Sequence, residues 1–348
     1  MSTENLIRPE YMGGQWIITL VSGEMLEMRQ GMKAPGRDFS GCDLRMMRLS
    51  GANLEGCRFK GANLSGTDLS HARLRGATFI DCDLSHAVFE HADATKAWFK
   101  LTPGANHLNL AHTVLTGARL LSSPKNRRVA YVDLTGADLF EARFFFLVLD
   151  ELKLTGANAT GSRWSSVHIT DSDCTNVDLV LAEFRNCMFD ETDFSGARMD
   201  GIRFVDCRTG GFGVVFDDVS MNRAVIESCD FGSGLYRPGI QAKRTSFREA
   251  TLLRSNFAAT DLEGADFAGA TVECCIFDGA AVEHSRWVNA RVKGSRFRGC
   301  QFHDAKFGGA VMRDCALKNA LLGKASRAEA VFEGCDWGVH VPGTEEAA

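Results

Sequence analysis

A five-residue repeat is the feature that most constrains how this chain can fold. From Arg37 to Lys100 a large apolar residue recurs at every fifth position, and a small residue such as Ala52 or Cys82 stands two places before most of them. This period fits neither an α-helix, at about 3.6 residues per turn, nor a flat strand, at about 2. A short fixed repeat predicts a solenoid in which each unit buries its apolar side by stacking on the next. The large apolar positions of the stretch are Phe39, Leu44, Leu49, Leu54, Phe59, Leu64, Leu69, Leu74, Phe79, Leu84 and Phe89.

The residue types at the five positions predict where each side chain points. The large central residue and the small residue two places before it are expected inside, whereas the flanking residues, such as Asp43 and Arg45, are polar and expected outside. The remaining position is often glycine, which suits a corner where backbones approach closely. Four histidines also fall at this corner position and are expected to be solvated: His71, His86, His91 and His284.

A second period, of twenty residues, predicts the number of sides. Aromatic residues recur at this spacing in several series, one of which contains Phe39, Phe59, Phe79 and Phe99. Rings twenty residues apart stack on one another if four units make one turn, with about 4.8 Å between turns. In these features the chain resembles the pentapeptide repeat family from residue 37 to residue 337. The resemblance implies an all-β fold, a right-handed quadrilateral β-helix, of about 13 coils here.

Interruptions of the repeat divide the chain into three segments. Residues 1–36 do not repeat and are expected to form an N-terminal cap or a recognition segment, with a strand over residues 15–21. Residues 37–337 form the predicted β-helix, and residues 338–348 a short acidic tail. Register breaks are expected near residues 100–109, 121–131, 208–215 and 232–244, where proline, glycine and basic residues predict protruding loops.

Composition argues against several classes of protein. The net charge of −5, from 39 basic and 44 acidic residues, is too mild for a strongly basic nucleic-acid binder, so no direct contact with nucleic acid is expected. The sequence contains neither a signal-peptide pattern nor a run of about 18 apolar residues. We therefore expect no membrane segment and a cytoplasmic location, with secretion by a route that needs no signal peptide as the alternative.

The twelve cysteines are interpreted as packing residues rather than as disulfide partners or metal ligands. Most occupy the small inward position, where they alternate with Ala, Ser and Thr, and a free cysteine behaves there as a small buried hydrophobe. We expect them to be reduced and free of ligands. The inward set is Cys42, Cys57, Cys82, Cys187, Cys207, Cys229, Cys275, Cys300, Cys315 and Cys335.

No group of residues predicts an active site. The glycine-rich residues 209–213 lack the Lys-Ser/Thr pair of a phosphate-binding loop. His86 and His91 lie on successive corners, which is expected to place them too far apart to share a metal. Carboxylates are numerous because outward positions prefer polar side chains, and no acid–base pair stands out among them. We expect a protein that is not an enzyme and that has no cofactor and no metal.

Surface features instead favour binding to a macromolecule. Phe145 follows the central residue Phe144 and is expected to face solvent, either as an isolated surface ring or as part of a contact patch. Basic residues in the predicted loops supply further candidates. The predicted partner-binding residues are Phe145, Arg127, Arg128, Arg237, Lys243 and Arg244.

These observations predict a non-enzymatic, rigid scaffold that binds a protein partner of unknown identity, as in a bacterial secretion-associated or effector protein. The family resemblance implies an alternative, a DNA mimic that binds DNA gyrase and gives resistance to quinolones or toxins. Residues 133–208 carry fourteen acidic and seven basic residues, a net charge of −7. Spread over four faces, this density is far below that of duplex DNA, which has one charge per about 1.7 Å of axis. The scaffold is therefore the preferred hypothesis.

Overall fold

The structure is a computed structural model that describes residues 6–102, 105–122, 128–210, 213–232 and 239–338. These residues form short strands, isolated bridges and turns, with no helix among them. The chain divides into two units, Met1–Cys174 and Thr175–Ala348. No described helix is long and apolar enough to cross a membrane.

The five-residue repeat has the same local geometry in both units of the chain. In one example, the central Leu64 and the small Ala62 are both buried, and the Ala62 N–H donates to the Phe59 carbonyl to close a turn. The Leu64 N–H donates across to the Asp83 carbonyl of the next turn at 2.8 Å. The backbone N–H groups of each turn therefore donate partly to carbonyls of the same turn and partly to carbonyls of the next turn, as buried amides require.

The corners have positive φ angles, which explains the glycines and polar residues found there. Gly61 has a φ of 65°. The four histidines predicted at corners are confirmed in this position, are exposed, and have φ values between 56° and 58°. Non-glycine residues adopt this left-handed conformation at many other corners of the chain.

The first unit begins with a small antiparallel sheet, followed by parallel coil strands. The sheet pairs β1 with β2 and β2 with β3. In the coil, β4, β5, β6, β8 and β10 form one parallel face, and β7, β9 and β11 another. The strands are β1 (Glu10–Met12), β2 (Gln15–Thr19), β3 (Met25–Glu27), β4 (Thr78–Ile80), β5 (Trp98–Leu101), β6 (Arg119–Ser122), β7 (Arg128–Ala130), β8 (Arg143–Phe145), β9 (Val148–Asp150), β10 (Arg163–Ser165) and β11 (His168–Asp173).

The antiparallel sheet at the start of the first unit contains the strand predicted over residues 15–21, which is observed as β2. It buries Ile18 completely, and the following segment buries Met28 and Met32. Hydrogen bonds between turns already begin at Gly31, whose N–H donates to the Ser50 carbonyl at 2.9 Å. Ile7 bridges in parallel to Cys42. The first turn of the coil is thus hydrogen-bonded on its outer side by the N-terminal segment.

The second unit continues the same architecture. One parallel face joins β12, β14, β16, β17, β18, β19, β20 and β21, and a second pairs β13 with β15. The strands are β12 (Glu183–Arg185), β13 (Met188–Asp193), β14 (Arg203–Val205), β15 (Arg208–Thr209), β16 (Val225–Glu227), β17 (Thr251–Leu253), β18 (Thr271–Glu273), β19 (Arg291–Lys293), β20 (Val311–Arg313) and β21 (Val331–Glu333).

Insertions change the spacing between paired residues without moving side chains from one face to the other. The usual offset of twenty becomes 21 where Phe99 pairs with Leu120, and 24 where Leu120 pairs with Phe144. In the second unit Phe204 pairs with Ile226, and Ile226 with Leu252, at offsets of 22 and 26. Because slipping by one residue would expose the apolar side chains, the extra residues are taken up between the paired segments.

Aromatic columns fill the interior of each unit. Phe39, Phe59, Phe79 and Phe99 stack with ring centroids 5.3, 4.9 and 4.8 Å apart. In the second unit, Phe257, Phe277 and Phe297 stack at 5.2 and 4.9 Å. These spacings are those of offset aromatic stacking, which adds about 0.5–1.5 kcal/mol per pair to the gain from burial.

Ten of the twelve cysteines are buried, Cys335 is half-buried and Cys274 is exposed. Thiols in the inward position bond to the carbonyl of the preceding turn: the Cys57 thiol donates to Ala34 at 3.0 Å, much as the Thr67 hydroxyl donates to Leu44 at 2.7 Å. This shared bond explains why Cys and Thr alternate there. Burial raises the pKa of the Cys300 thiol to about 12, which keeps it protonated.

Candidate functional site

Phe145 and its neighbour Phe146 differ in exposure. Phe145 is the last residue of β8 and is half-buried, whereas Phe146 occupies the corner with a φ of 56° and is 42% exposed. The repeat pattern predicts Phe145 as a surface candidate because it flanks a central position, and it makes no such prediction for the corner residue Phe146. The more accessible ring of this triplet is therefore Phe146.

Arg128 begins strand β7 rather than lying in a protruding loop, and its charge is balanced. Its guanidinium binds the Asp150 carboxylate through Nε, at 3.0 Å, and through a second nitrogen. Asp150 lies in the next turn and is only 7% exposed. Arg127 lies outside the described residues. Arg128 thus joins two turns of the first unit.

Lys243 and Arg244 are paired in the same way. The Lys243 ammonium contacts Glu263 at 3.0 Å and Asp261 at 3.2 Å, and Arg244 contacts Asp218 at 2.6 Å. The hydrogen bond from Arg244 lowers the pKa of Asp218, and the bond from Lys243 lowers the pKa of Glu263. Arg237 lies outside the described residues. The described basic candidates hold adjacent turns together.

A groove runs along one corner of the first unit, and we call it the corner groove. It has a volume of about 400 Å³. Successive corner residues form one side, and the residues two places further along each turn form the other, while the leucine and valine residues between them have buried side chains. Its lining is His107, Tyr131, Glu151 and Asp171 on the corner side, Asn109, Asp133, Lys153 and Asp173 on the face side, and Leu108, Val132 and Leu152 between them.

Stacked rings form the first part of the corner side of the groove, in chain order. The His86 ring stacks on His107 with centroids 4.8 Å apart, and His107 stacks on Tyr131 at 4.4 Å. Backbone hydrogen bonds hold the following corner residues in line. The Tyr131 N–H donates to the Asp150 carbonyl, and the Glu151 N–H donates to the Thr170 carbonyl. A hydrogen bond to the Glu151 carboxylate raises the pKa of Tyr131 and keeps its hydroxyl protonated.

Negative charge dominates the remainder of the groove. Four carboxylates line it, against the single cationic side chain of Lys153. Glu151 and Asp171 are exposed corner residues, with φ values of 51° and 49°. Carboxylates beside exposed aromatic rings suit the binding of ammonium or guanidinium groups. The twenty-residue period does not predict this site, because the stacking partners are 21 and 24 residues apart, across two insertions.

A second groove, in the second unit, has a different character. Its volume is about 660 Å³, and Leu181, Gly201, Arg223 and Glu249 form its corner side. Arg223 and Glu249 neutralise each other at 2.8 Å. Leu181 leans over the next turn, so that a side chain at Gly201 would lie 2.8 Å from its methyl group. This groove offers an apolar side chain and balanced charge.

The corner histidines form two separate stacks. His86 belongs to the stack on the corner groove, whereas His91 lies between His71 and His112 on another corner, with both ring centroids 5.1 Å away. Among the residues that the structure describes, no three His, Cys, Asp or Glu side chains are grouped so as to hold a metal ion.

Comparison with solved structures finds pentapeptide repeat proteins. HetL, involved in heterocyst differentiation regulation in the cyanobacterium Nostoc sp. strain PCC 7120, is 16% identical with a TM-score of 0.20, covering 89% of this chain and 90% of that one. QnrB1, a plasmid-mediated fluoroquinolone resistance protein, is 15% identical with a TM-score of 0.24, covering 63% and 82%. These low scores support no inference about function. A search of curated proteins found no match.

A family model identifies the repeat directly. The model described as pentapeptide repeats matches eight copies, in residues 38–76, 67–102, 168–204, 242–273 and 275–314. These segments make up half of the chain. Their buried central residues, positive-φ corners and parallel pairing of successive turns are those of a quadrilateral β-helix. The chain belongs to the pentapeptide repeat family, whose fold is the right-handed quadrilateral β-helix.

Proposed function

We propose that this protein is a non-enzymatic scaffold that binds a protein partner, and that the corner groove receives a basic segment of that partner. The observation that carries the proposal is the charge of the groove, where four carboxylates face one lysine beside the exposed ring of Tyr131. The described basic candidates, in contrast, are engaged in ion pairs within the coil.

The ion pair between Arg128 and Asp150, next to the groove, illustrates such recognition. The Arg128 guanidinium binds the Asp150 carboxylate of the next turn, at the residue before Glu151. A partner's arginine can approach Glu151 or Asp171 in a similar way, beside the exposed Tyr131 ring. Phe145, at the end of β8, and the exposed corner residue Phe146 lie outside the groove and are proposed as a separate contact surface.

A cross-linking experiment tests the docking site. The wild-type protein is used to capture a partner from an extract of the source organism, and the complex is treated with a carbodiimide, which joins carboxylates to lysines in contact. We expect cross-linked peptides that connect Glu151 or Asp171 to a basic segment. Cross-links that consistently avoid the groove would contradict the assignment.

Charge-reversed variants provide the matched control. Glu151→Lys with Asp171→Lys should abolish capture of that partner, because like charges then face its basic segment. Lys96 naturally occupies a corner with a φ of 57°, so lysine is compatible with this backbone. Glu90→Lys with Glu141→Lys makes the same change in charge outside the groove and should leave capture intact. Equal loss in both variants would indicate a non-specific effect of net charge.

A supercoiling assay tests the alternative hypothesis of a gyrase-directed DNA mimic. Several carboxylates of residues 133–208 are neutralised, as in the pairs Arg198–Asp178 and Arg185–Glu183. We therefore expect no inhibition of gyrase and no protection from a quinolone. Either effect at sub-micromolar protein would favour the mimic over the scaffold.

A further inference from the structure

One inward column of the second unit ends in two adjacent thiols. The column places a cysteine or serine on each of six successive turns: Cys229, Ser255, Cys275, Ser295, Cys315 and Cys335. Ala316 bridges to Asp336, and the Asp336 N–H donates to the Cys315 carbonyl at 2.9 Å, so Cys315 and Cys335 are directly opposed. Their thiols donate to neighbouring carbonyls, Cys315 to Arg313 at 3.2 Å and Cys335 to Met312 at 3.4 Å.

The two thiols differ in their access to solvent. Cys315 is buried, whereas Cys335 is half-buried, as are Phe332 and Trp337 in the same turn. Cys207 and Cys229 are also directly opposed, since Arg208 bridges to Asp230, but both are buried with turns on either side. Of these two opposed pairs, only the pair with Cys335 has a thiol that solvent can reach.

The neighbouring thiol also favours the thiolate at the accessible position. Interaction with the Cys315 thiol lowers the pKa of Cys335, while the pKa of Cys315 is raised. A thiolate is the nucleophile in exchange with disulfides, so a lowered pKa increases the reactive fraction of Cys335.

The spacing allows a covalent bond between the two cysteines. Successive turns are about 4.8 Å apart, and disulfides form between Cα atoms about 4.4–6.8 Å apart. The last described turn pairs with the preceding turn through β20 and β21, which keeps Cys315 and Cys335 at this spacing. The buried pair Cys207–Cys229 has packed turns on both sides.

We propose that Cys335 is a thiol-exchange site that forms an intramolecular disulfide with Cys315 when it meets a low-molecular-weight disulfide such as glutathione disulfide. The Cys335 thiolate attacks one sulfur of glutathione disulfide, whose S–S bond breaks to release one glutathione thiolate. Cys315 then loses its proton to solvent and attacks the sulfur of Cys335, which releases the second glutathione. Two protein thiols are oxidised and one disulfide is reduced to two thiols.

Cys274 is the internal comparison. It is exposed at a corner with a φ of 54°, and its chain neighbour Cys275 is buried. Consecutive residues at these positions point in opposite directions, so Cys275 cannot resolve a mixed disulfide on Cys274. Cys274 should therefore keep the glutathione that it acquires.

Peptide mapping tests the proposal on the folded, full-length protein. The reduced protein is treated with glutathione disulfide, quenched in acid, denatured and alkylated, then digested with trypsin. Lys318, Lys324 and Arg327 separate the two cysteines into different peptides. We expect a disulfide-linked pair containing Cys315 and Cys335, a glutathione adduct on Cys274, and alkylated Cys207 and Cys229.

Two serine variants separate reactivity from folding. Ser295 occupies the same column, so Cys315→Ser and Cys335→Ser should both fold, which circular dichroism can verify. Cys315→Ser should leave a persistent glutathione adduct on Cys335, and Cys335→Ser should abolish the linked pair. An unmodified Cys335 beside a modified Cys274, or linkage of Cys207 to Cys229 at an equal rate, would overturn the proposal.

Discussion

The first turns of the coil in the first unit and the last described turns in the second unit contain the same repeat but differ in burial. At the N-terminal side, Ile7 bridges in parallel to Cys42, and both Ile18 of the antiparallel sheet and Phe39 of the first turns are completely buried. In the last described turn, Phe332 at the equivalent inward position is half-buried. A repeat residue therefore gains its full burial only when turns lie on both sides, as expected for a solenoid.

Replacing an interior ring should have the largest effect. Phe79→Ala removes a side chain that stacks on Phe59 and Phe99, and should lower the free energy of unfolding by about 3–5 kcal/mol. Phe332→Ala makes the same change in the half-buried last turn and should cost much less. Urea unfolding of both variants measures the difference. Equal losses would contradict the comparison.

Weakening the N-terminal sheet should have the next largest effect. Ile18 is completely buried in β2, and Ile18→Ala should reduce stability by about 2–5 kcal/mol. Thr19→Ala changes the adjacent exposed residue of the same strand and serves as the control. Hydrogen exchange of the first coil turns should accelerate only in Ile18→Ala. Unchanged exchange would show that the sheet does not protect these turns.

Overpacking an inward slot should have an intermediate effect. Ala62→Leu adds three carbons to a buried position and should cost about 1–3 kcal/mol. Ser65→Ala, at an outward position, should change stability by less than about 0.5 kcal/mol. Asn63, which the sequence predicts to face solvent, is a poor control because it is only 8% exposed and accepts the Ser65 N–H at 3.0 Å. Equal melting temperatures for Ala62→Leu and wild type would contradict the assignment of Ala62 to a packed inward position.

The smallest expected effect is a change in the pH dependence of stability caused by an ion pair near the N-terminal segment. The hydrogen bond from Arg45 lowers the pKa of Asp43, whose N–H donates to the Ile7 carbonyl. Because the pKa is depressed in the folded state, this stabilisation is present above the unfolded value of about 3.9 and is lost as pH falls through the folded value. In the Arg45→Gln variant, the free energy of unfolding should therefore fall less steeply between about pH 5 and pH 2. An unchanged pH profile would exclude a contribution from the pair.

The periodicity of the sequence was sufficient to predict the fold, the inward residues and the corner histidines. It could not assign the surface charges, because pairing between turns depends on how many residues each insertion adds. Arg244 reaches Asp218 only because the offset there is 26, and Tyr131 stacks on His107 only because the offset there is 24. The corner groove likewise depends on which side chains the insertions bring into one column.

The tolerance of the coil to insertions has an evolutionary consequence. Extra residues enter between Phe99 and Leu120, and between Ile226 and Leu252, while the paired residues keep their faces. New segments can therefore be acquired between paired strands without redesigning the interior, at levels about 4.8 Å apart. The same property makes these intervals suitable places for grafting foreign peptides, because recognition and stability then depend on different residues.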